Sequence, residues 1–208
     1  MAPPVPAKLD LKKLHKPLYA APAGKVVHVA APALRYLMLD GSGDPNTAPA
    51  FAAGVEALYT AAYTLKFLCK KGPQAQDWGV MPLEGLWWTD DPAGFAAQDK
   101  DAWQWTLLIL QPDLVTSDMV AQALDQARAK KKLPALDQVR LEALEEGDCA
   151  QTLHVGPFSE EGPAVERVHA FIASQGKAPY GKHHEIYLSD MRRVPPEKWK
   201  TIVRQPMR

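Results

Sequence analysis

The sequence predicts an α+β fold in which one module of strands and a helix occurs twice, with the two copies related by an approximate two-fold axis. The order strand, strand, helix, strand, strand can be followed over residues 25–111 and again over residues 138–204, with a linking helix between the copies. Each copy also has a strand pair ending at Gly41 or Gly156, an acidic turn, a helix with proline in its first turn, and a strand with one glutamate. This agreement in order and in detail indicates a duplicated domain.

The first 24 residues differ in composition from the duplicated region. They contain five prolines and several lysines, a pattern typical of a segment that lies on the protein surface. We therefore expect residues 1–24 to form a surface arm without chemistry of its own, and residues 25–208 to form the duplicated domain.

Apolar and β-branched runs separated by turn residues predict the elements of the first copy. In order, these are strands over residues 25–31 and 34–40, a helix over residues 49–71, and strands over residues 78–88 and 103–111. The first two strands are separated only by Ala31-Pro32-Ala33 and are expected to pair as a hairpin. A polar loop through Asp90-Asp91-Pro92 is expected before the last strand.

The linking helix is expected to begin at Thr116 or Ser117 and to end near residue 132. The second copy then repeats the pattern, with strands over residues 138–145 and 148–155, a helix over residues 163–175, and strands over residues 183–190 and 200–204. Its first two strands are again expected to form a hairpin, here around Glu146-Gly147.

The predicted strand His183–Asp190 places one carboxylate among aromatic and apolar neighbours. With a period of two, His183, Glu185 and Tyr187 point to the same face of this strand. One interpretation is an exposed face on which Glu185 meets only water. The other is a ligand pocket in which Glu185 is flanked by side chains that form hydrogen bonds.

A second predicted strand, Val80–Trp88, again carries one glutamate in an apolar run and ends in two tryptophans. The repeat gives Glu84 and Glu185 equivalent places, and interfaces between duplicated modules commonly bind small ligands. Adjacent tryptophans face opposite sides of a strand, so one fills the core. Trp88, which has the parity of Glu84, is expected to line the pocket, and Trp105 is a further candidate for its wall.

The long helix carries Tyr59 and Tyr63 four residues apart, which puts their rings side by side along one flank of its apolar face. Two interpretations stay open for this pair. The rings pack at the edge of the core, or the phenols line a cleft.

Three histidines near a glutamate invite comparison with metal sites, but their spacing does not support one. His183 and His184 are adjacent and point to opposite faces of a strand, and the sequence has neither a His-x-His motif nor a helical histidine pair. We therefore expect no metal and no cofactor, with His154 and His183 orienting neighbouring groups. Cys69 and Cys149 are interpreted as ordinary thiols, because two distant cysteines match neither a zinc motif nor a disulfide framework.

The balance of 24 basic and 24 acidic residues gives no general attraction to nucleic acid or to anionic membranes. The apolar stretches are shorter than the roughly 20 residues that a transmembrane helix needs, and the first six residues lack the features of a signal peptide. We therefore expect a cytoplasmic protein whose partner is a hydrophobic small molecule rather than nucleic acid or a membrane. The sequence predicts no oligomeric state.

Three runs carry a specific resemblance. They are Met81-Pro82-Leu83-Glu84-Gly85-Leu86-Trp87-Trp88, Gln151-Thr152-Leu153-His154-Val155-Gly156-Pro157 and His183-His184-Glu185-Ile186-Tyr187-Leu188-Ser189-Asp190. They resemble the GyrI-like small-molecule-binding family, and more narrowly its stand-alone branch, which includes hydrolases of cyclopropane-bearing genotoxins. The resemblance implies the duplicated fold of that family and extends from about residue 8 to residue 208. The sequence shows no counterpart of the DNA-binding domain that many members attach, so a transcription-factor role is not expected.

The resemblance implies a hydrolase that opens the electrophilic cyclopropane of duocarmycin- and yatakemycin-type genotoxins by adding water. In the family, the glutamate on the strand matching Glu185 lies in the central pocket of drug-binding regulators and serves catalysis in the hydrolases. Glu185 is then expected to be the base for water, with its pKa raised by apolar surroundings. Tyr63 or Tyr187 is expected to donate a hydrogen bond to the oxygen that becomes a phenolate, and Trp88 and Trp105 to form flat walls.

Other functions stay open at this point. A non-catalytic binder would hold a lipophilic cation between aromatic rings, with Glu185 and Glu84 neutralising its charge. A protein that protects DNA gyrase from toxins follows from the family name, but no exposed apolar segment or patterned acidic surface in the sequence supports it. Hydrolysis of an unrelated substrate is the remaining alternative.

Overall fold

The computed structural model describes residues 6–73, 75–90 and 100–208. Its α-helices are α1 (Leu11–Leu14), α2 (Lys16–Tyr19), α3 (Pro49–Lys71), α4 (Ser117–Lys130) and α5 (Gly162–Ser174). Its strands are β1 (Val27–Ala31), β2 (Leu34–Ser42), β3 (Glu84–Trp88), β4 (Gln104–Leu110), β5 (Arg140–Leu144), β6 (Gly147–Val155), β7 (His183–Tyr187) and β8 (Lys200–Pro206). The expected loop through Asp90-Asp91-Pro92 lies largely outside the described residues. Among the helices of the described ranges, none is long and apolar enough to cross a membrane.

Local sequence signals set most of these boundaries. The long helix α3 begins at Pro49 and ends at Lys71, as predicted, because proline suits a first helical turn. The linking helix α4 begins after Thr116, one of the two predicted caps, whose hydroxyl accepts a hydrogen bond from the backbone of the first turn. The strand predicted over residues 78–88 is regular only in its last five residues, since Pro82 has no N–H to give to a strand ladder.

The strands form an eight-stranded antiparallel sheet in the order β1-β6-β8-β7-β3-β4-β2-β5. Exchanging the strands of the two copies, so that β1 to β4 take the places of β5 to β8, leaves this order unchanged when it is read from the other end. The sheet therefore has the two-fold arrangement that the repeat predicted. The axis passes between the central strands β3 and β7.

The predicted hairpins β1–β2 and β5–β6 are wrong, because β1 pairs with β6 and β2 pairs with β5. A two-residue hairpin turn needs positive φ at its first central position. Pro32 follows β1, and its ring holds φ at about −65°. Glu145 and Glu146 follow β5, and their side chains disfavour positive φ. The first strand of each copy therefore crosses to the other copy, which ties the two halves together.

The long helices of the two copies lie on one face of the sheet, which we call the helical face. Helix α3 packs on β2 and β4, and α5 packs on β6 and β8. Cross-strand register places Leu107, Gly85, Glu185 and Val203 in one row of this face. Leu107 lies under α3 and Val203 under α5, so the middle of the row lies between the helices.

Residues 17–20 of the N-terminal arm pack on the opposite face of the sheet. Leu11, Leu18 and Tyr19 are buried, so the expectation of a surface segment is wrong for this part of the arm. The backbone carbonyl of Leu18 accepts a hydrogen bond from Arg204 Nη2 at 2.6 Å. Leu18 and Tyr19 therefore help to cover polar side chains of the sheet that water would otherwise reach.

Candidate active site

Glu185 lies in the middle of the helical face, on the central strand β7. Its neighbour on β3 is Gly85. A Cβ atom at Gly85 would lie 2.7 Å from Trp87 Nε1 and 3.0 Å from Tyr187 Oη. The absence of a side chain therefore lets the indole and the phenol meet beside Glu185.

Side chains of β3 and β7 form a hydrogen-bonded chain that ends at this carboxylate. Trp87 Nε1 donates to Tyr187 Oη at 3.1 Å, and Tyr187 Oη donates to Glu185 Oε2 at 2.8 Å. His183 Nε2 lies 3.4 Å from Glu185 Oε1. The Phe158 ring packs edge-on against Tyr187, with the ring centroids 5.6 Å apart. Glu185 is thus held by donors on the sheet, while 14% of its side chain stays exposed.

A second carboxyl group, that of Glu161, reaches the same place from the start of α5. Glu161 is buried and shares a hydrogen bond with Glu185. Its side chain forms no capping hydrogen bond to the helix, which leaves it free to point at the sheet. Its Oε1 atom is buried.

The two carboxyl groups differ in protonation. Burial first, then the charge of Glu185 and the hydrogen bond between the groups, raise the pKa of Glu161 to about 10. Burial also acts to raise the pKa of Glu185, but hydrogen bonds from His183, Tyr187 and Glu161 outweigh it and lower that pKa below its ordinary value. The expected raised pKa at Glu185 is therefore wrong. At neutral pH Glu161 holds a proton and Glu185 is ionised, so a proton donor and a proton acceptor lie side by side.

A cleft of ≈ 980 Å³ opens on the helical face, between α3, residues 80–83 and residues 187–192. Tyr187 lines this cleft and joins it to the carboxyl pair. The aromatic and apolar side chains that line it are Val55, Tyr59, Tyr63, Val80, Met81, Pro82, Leu83, Tyr187, Leu188 and Met191. Charged side chains line it as well, namely Lys12, Glu56, Lys130, Lys131, Asp190 and Arg192. The cleft therefore combines apolar walls, which suit flat rings, with charged groups.

Both tyrosines of α3 lie at the cleft. The ring centroids of Tyr59 and Tyr63 are 6.4 Å apart. Burial raises the pKa of Tyr59, whose hydroxyl has a hydrogen bond with the backbone of Leu83. Tyr63 is 49% exposed and lies nearer to solvent. Both tyrosines line the cleft, and Tyr59 also packs against the edge of the hydrophobic core.

Glu84 lies away from this site, and its predicted equivalence to Glu185 is wrong. The register partner of Glu84 on β7 is Ile186, so Glu84 points to the opposite face of the sheet. There it is 0% exposed. It accepts a hydrogen bond from Tyr19 Oη at 2.5 Å, and it lies 3.0 Å from His184 Nε2.

The opposite face holds a closed polar network that includes Glu84 and His184. Glu146 lies 3.0 Å from His184 Nδ1 and accepts a hydrogen bond from Arg204 Nη1 at 3.1 Å. Burial acts to raise the pKa of Glu146, but His184 and Arg204 outweigh it and lower the pKa to about 2. Burial acts to lower the pKa of His184, but the two glutamates raise it to about 9. These buried charges are paired with one another, so the network fastens the arm to the sheet rather than facing the cleft.

Neither tryptophan predicted as a wall lines the cleft. Trp88 points to the opposite face, where the Lys182 ammonium lies 3.3 Å from its ring centroid. Trp105 is 0% exposed beneath α3 and packs against Phe51, with ring centroids 5.3 Å apart. Trp87, the other member of the tandem pair, is the tryptophan beside the carboxyl pair.

The two predicted histidines have different positions. His154 is buried, and its Nε2 forms a hydrogen bond of 3.0 Å with the Pro157 carbonyl. His183 lies within it: one ligand-type atom from each of Glu161, His183 and Glu185 lies within 4.8 Å of the others. These are donor types that a divalent cation uses, which the sequence did not predict. Glu161 would have to lose its proton to bind one.

A model of the GyrI-like small molecule binding domain matches residues 25–208 of the sequence. The chain belongs to this family. No curated protein sequence matches the chain.

Solved structures show the same GyrI-like fold. An uncharacterized conserved protein from Listeria innocua is 41% identical, with a TM-score of 0.89, and the match covers 97% of this chain and 100% of that one. A hydrolase from Listeria innocua is also 41% identical, with a TM-score of 0.84 and the same coverage. The C-terminal domain of EcmrR is 9% identical, with a TM-score of 0.56, and the match covers 88% of this chain and 97% of that domain. This last likeness shows the fold alone.

Sequence reasoning missed two residues of this GyrI-like site. Glu161 was interpreted only as part of an acidic turn, although it directly precedes Gly162-Pro163, where α5 begins. An acidic residue at the start of the helix that covers the second copy was the available signal. Trp87 was assigned to the core because Glu84 was taken to mark the pocket face of β3. The residue of β3 that faces the same side as Glu185 is Gly85, and Trp87 lies on that side.

Proposed function

We propose that this protein is a hydrolase that adds water to a strained, electrophilic ring, and that its substrates are cyclopropanes conjugated to a cyclohexadienone, as in duocarmycin- and yatakemycin-type genotoxins. The activity would protect the cell from these alkylators. The observation that carries the proposal is the close approach of two carboxyl groups, those of Glu161 and Glu185, behind Tyr187, which lines an aromatic cleft. The similarity to a hydrolase at 41% identity supports it.

In the proposed reaction, Glu185 accepts a proton from water while the water oxygen bonds to the cyclopropane CH₂. The bond between that carbon and the spiro carbon breaks, and its electron pair moves through the ring to the carbonyl oxygen. The product is a phenolate, which takes a proton from solvent to become a phenol, and Glu185 releases the proton of water to solvent. Relief of ring strain drives the step, so the protein supplies a positioned base and an oriented substrate.

The distant oxygen of the substrate needs a hydrogen-bond donor other than Tyr187, because Tyr187 already donates its proton to Glu185 at 2.8 Å. Tyr59 and Tyr63 line the same cleft on the α3 side. Of the donors first considered, Tyr63 is therefore preferred over Tyr187, with Tyr59 as a second phenol within the cleft. No metal or cofactor is part of this proposal.

A second function, non-catalytic binding of a lipophilic cation, is favoured by one observation. Hydrogen bonds hold the pKa of Glu185 below its ordinary value, and the carboxylate lies beside Tyr187, whose ring packs against Phe158 and whose hydroxyl accepts from Trp87. A carboxylate among aromatic faces attracts a hydrophobic cation through charge and cation–π interactions. Glu84 has no part in this version, because it lies in the network on the opposite face.

The proposal is tested by incubating the purified chain with a cyclopropane-bearing alkylator and following the product by mass spectrometry. We expect the mass of one added water, formed only in the presence of protein. Glu185→Gln keeps size and hydrogen bonding but removes the base, so turnover should fall by roughly two to four orders of magnitude while the dissociation constant changes little. Glu166→Gln, at an exposed position of α5, is the matched control and should retain full turnover.

The two functions give opposite results with the same variant. A cation binder forms no product, and Glu185→Gln weakens its affinity directly because the buried charge is lost. Undiminished product formation by Glu185→Gln would exclude Glu185 as the base. Repeating the assay with a chelator tests whether a cation at Glu161, His183 and Glu185 takes part; under the proposal, the rate does not change.

A further inference from the structure

Glu161 and Glu185 form a buried pair of carboxyl groups on the helical face. Glu161 is 7% exposed, and 14% of the Glu185 side chain is exposed. Among the described residues, no lysine or arginine forms an ion pair with either group, and no N–H or hydroxyl group donates to the buried Oε1 atom of Glu161. Buried carboxylates are normally paired with a cation or bound to a metal ion. The partner that suits this pair is therefore positively charged.

His183 places a nitrogen atom beside the pair. Its Nε2 atom lies 3.4 Å from Glu185 Oε1, which is about the separation of two ligands on a tetrahedral zinc ion with bonds of about 2.0–2.2 Å. A ligand-type atom of Glu161 lies within 4.8 Å of the other two. A side-chain movement of about 1 Å would therefore bring all three ligands to one ion.

A second layer of hydrogen bonds fixes the orientation of the Glu185 carboxylate. Tyr187 Oη donates to Glu185 Oε2 at 2.8 Å and accepts from Trp87 Nε1 at 3.1 Å. The other oxygen, Oε1, is the one that faces His183. Outer hydrogen bonds of this kind orient the ligands of metal sites, so part of the coordination geometry exists before an ion binds.

The opposite face of the sheet contains the same residue types in an arrangement that does not suit a metal ion. Glu84 and Glu146 contact different ring nitrogens of His184, each at 3.0 Å, so their oxygens lie on separate sides of the imidazole. Glu146 is also paired with Arg204, and Glu84 accepts a hydrogen bond from Tyr19. The charges of that network are balanced by protein groups, whereas those of Glu161 and Glu185 are not.

We propose that Glu161, His183 and Glu185 bind one Zn²⁺ ion, and that the bound ion blocks the water addition described above; the blocking effect rests on the proposed function, whereas the binding does not. Zinc is preferred over Mg²⁺ and Ca²⁺, because one ligand is an imidazole and those two ions prefer six or more oxygen ligands. His183 binds through Nε2, water takes the fourth position, and any proton shared by the carboxyl groups leaves to solvent. Glu185 Oε1, once bonded to the ion, no longer accepts a proton from water.

Binding is tested without substrate, by titrating the EDTA-treated and dialysed full chain with ZnCl₂ in a calorimeter and with CoCl₂ by visible absorption. We expect saturation at one ion per chain and a cobalt spectrum of nitrogen and oxygen ligands in tetrahedral geometry. Glu161→Gln and His183→Gln should each raise the dissociation constant by roughly a hundredfold or more, since losing an outer partner alone costs about 10–100-fold. The matched control is His28→Gln, which removes a histidine–carboxylate pair on the surface, with Asp148 at 2.9 Å; it should bind zinc as the wild type does.

The blocking effect is tested by measuring product formation from the cyclopropane substrate with and without zinc. We expect a saturating concentration of ZnCl₂ to lower the rate at least tenfold and EDTA to restore it. Undiminished product formation by the zinc-loaded chain, or a rate that rises with zinc, would overturn the blocking effect.

The outcomes separate this inference from the proposed function. Absence of zinc binding, or binding that survives both Glu161→Gln and His183→Gln, overturns the site and leaves the proposed function standing. A wild-type chain that binds zinc at these residues but forms no product without zinc removes the proposed function and confirms the site. Thermal denaturation of each variant without metal shows whether the compared proteins are folded.

Discussion

A methyl group added at Gly85 is the smallest change that tests the arrangement of the site. In Gly85→Ala, the new Cβ atom would lie 2.7 Å from Trp87 Nε1 and 3.0 Å from Tyr187 Oη, well inside normal contact distance. Trp87 is held by Phe51 and Trp103, with ring centroids 5.9 Å and 5.6 Å away. Tyr187 is less enclosed, so it is the side chain that must move, and its hydrogen bond to the carboxylate should lengthen or break.

The expected loss in the free energy of unfolding is about 1–2 kcal/mol, because overpacking costs about 1–3 kcal/mol and removing a strand glycine returns about 0.5–1 kcal/mol. Urea unfolding measures this loss, and product formation with the cyclopropane substrate should fall at the same time. The control is Gly79→Ala, whose Cβ atom would have no neighbour within 4 Å, with an expected change within about 0.5 kcal/mol. A Gly85→Ala protein as stable and active as the wild type would refute the reasoning that Gly85 makes room for the Tyr187 hydrogen bond.

Three further predictions follow from the buried groups. Tyr19→Phe removes the donor to Glu84 at 2.5 Å and should lower the free energy of unfolding by roughly 1–3 kcal/mol, without changing product formation; equal stability in urea would show that this contact does not fasten the arm. The pKa of Glu161 is about 10 in the folded chain, above its ordinary 4.5. The protonated carboxyl group therefore stabilises the folded chain fully below pH 4.5, and this stabilisation is lost as pH rises towards 10. Glu161→Gln should therefore become steadily more stable than the wild type between pH 7 and pH 10, and parallel stability curves would contradict the assigned pKa. Tyr187→Phe removes a hydrogen bond that lowers the pKa of Glu185, so the acid limb of the pH–rate profile should move to higher pH; an unmoved limb would exclude this coupling.

The duplicated architecture was predictable because it depends on local signals that occur in both copies. Proline at the start of α3 and α5 and glycine at the ends of strands mark the same boundaries twice. The pairing of β1 with β6 and of β2 with β5 was not predictable from strand patterns alone. Pro32 was visible in the sequence, but its effect is understood only when the turn geometry of a two-residue hairpin is considered.

The site was predicted in part. Alternation within β7 correctly placed Glu185, His183 and Tyr187 on one face. Alternation within β3 says nothing about how β3 is aligned with β7, and a shift of one residue exchanges the faces. The observed register puts Gly85 rather than Glu84 opposite Glu185, which moves Glu84 to the other face.

The pKa at Glu185 depends on partners that are distant in sequence. An apolar neighbourhood predicts a raised pKa, but Glu161 lies 24 positions earlier in the sequence and shares its proton only because α5 begins above β7. Burial therefore acts on both carboxyl groups, and the hydrogen-bond donors decide which one stays ionised. The local sequence indicates that the carboxyl group is buried, but it does not show which distant groups donate hydrogen bonds to it.

The central claim is that Glu185 activates water instead of attacking the substrate itself. The most direct test is a single turnover of the cyclopropane substrate in H₂¹⁸O, with the protein in excess and the product analysed by mass spectrometry. The account predicts that the oxygen added in this first turnover is fully ¹⁸O, because it comes from solvent. An unlabelled oxygen in the product would show that it came from the carboxyl group of Glu185 through a covalent ester, and would contradict the account.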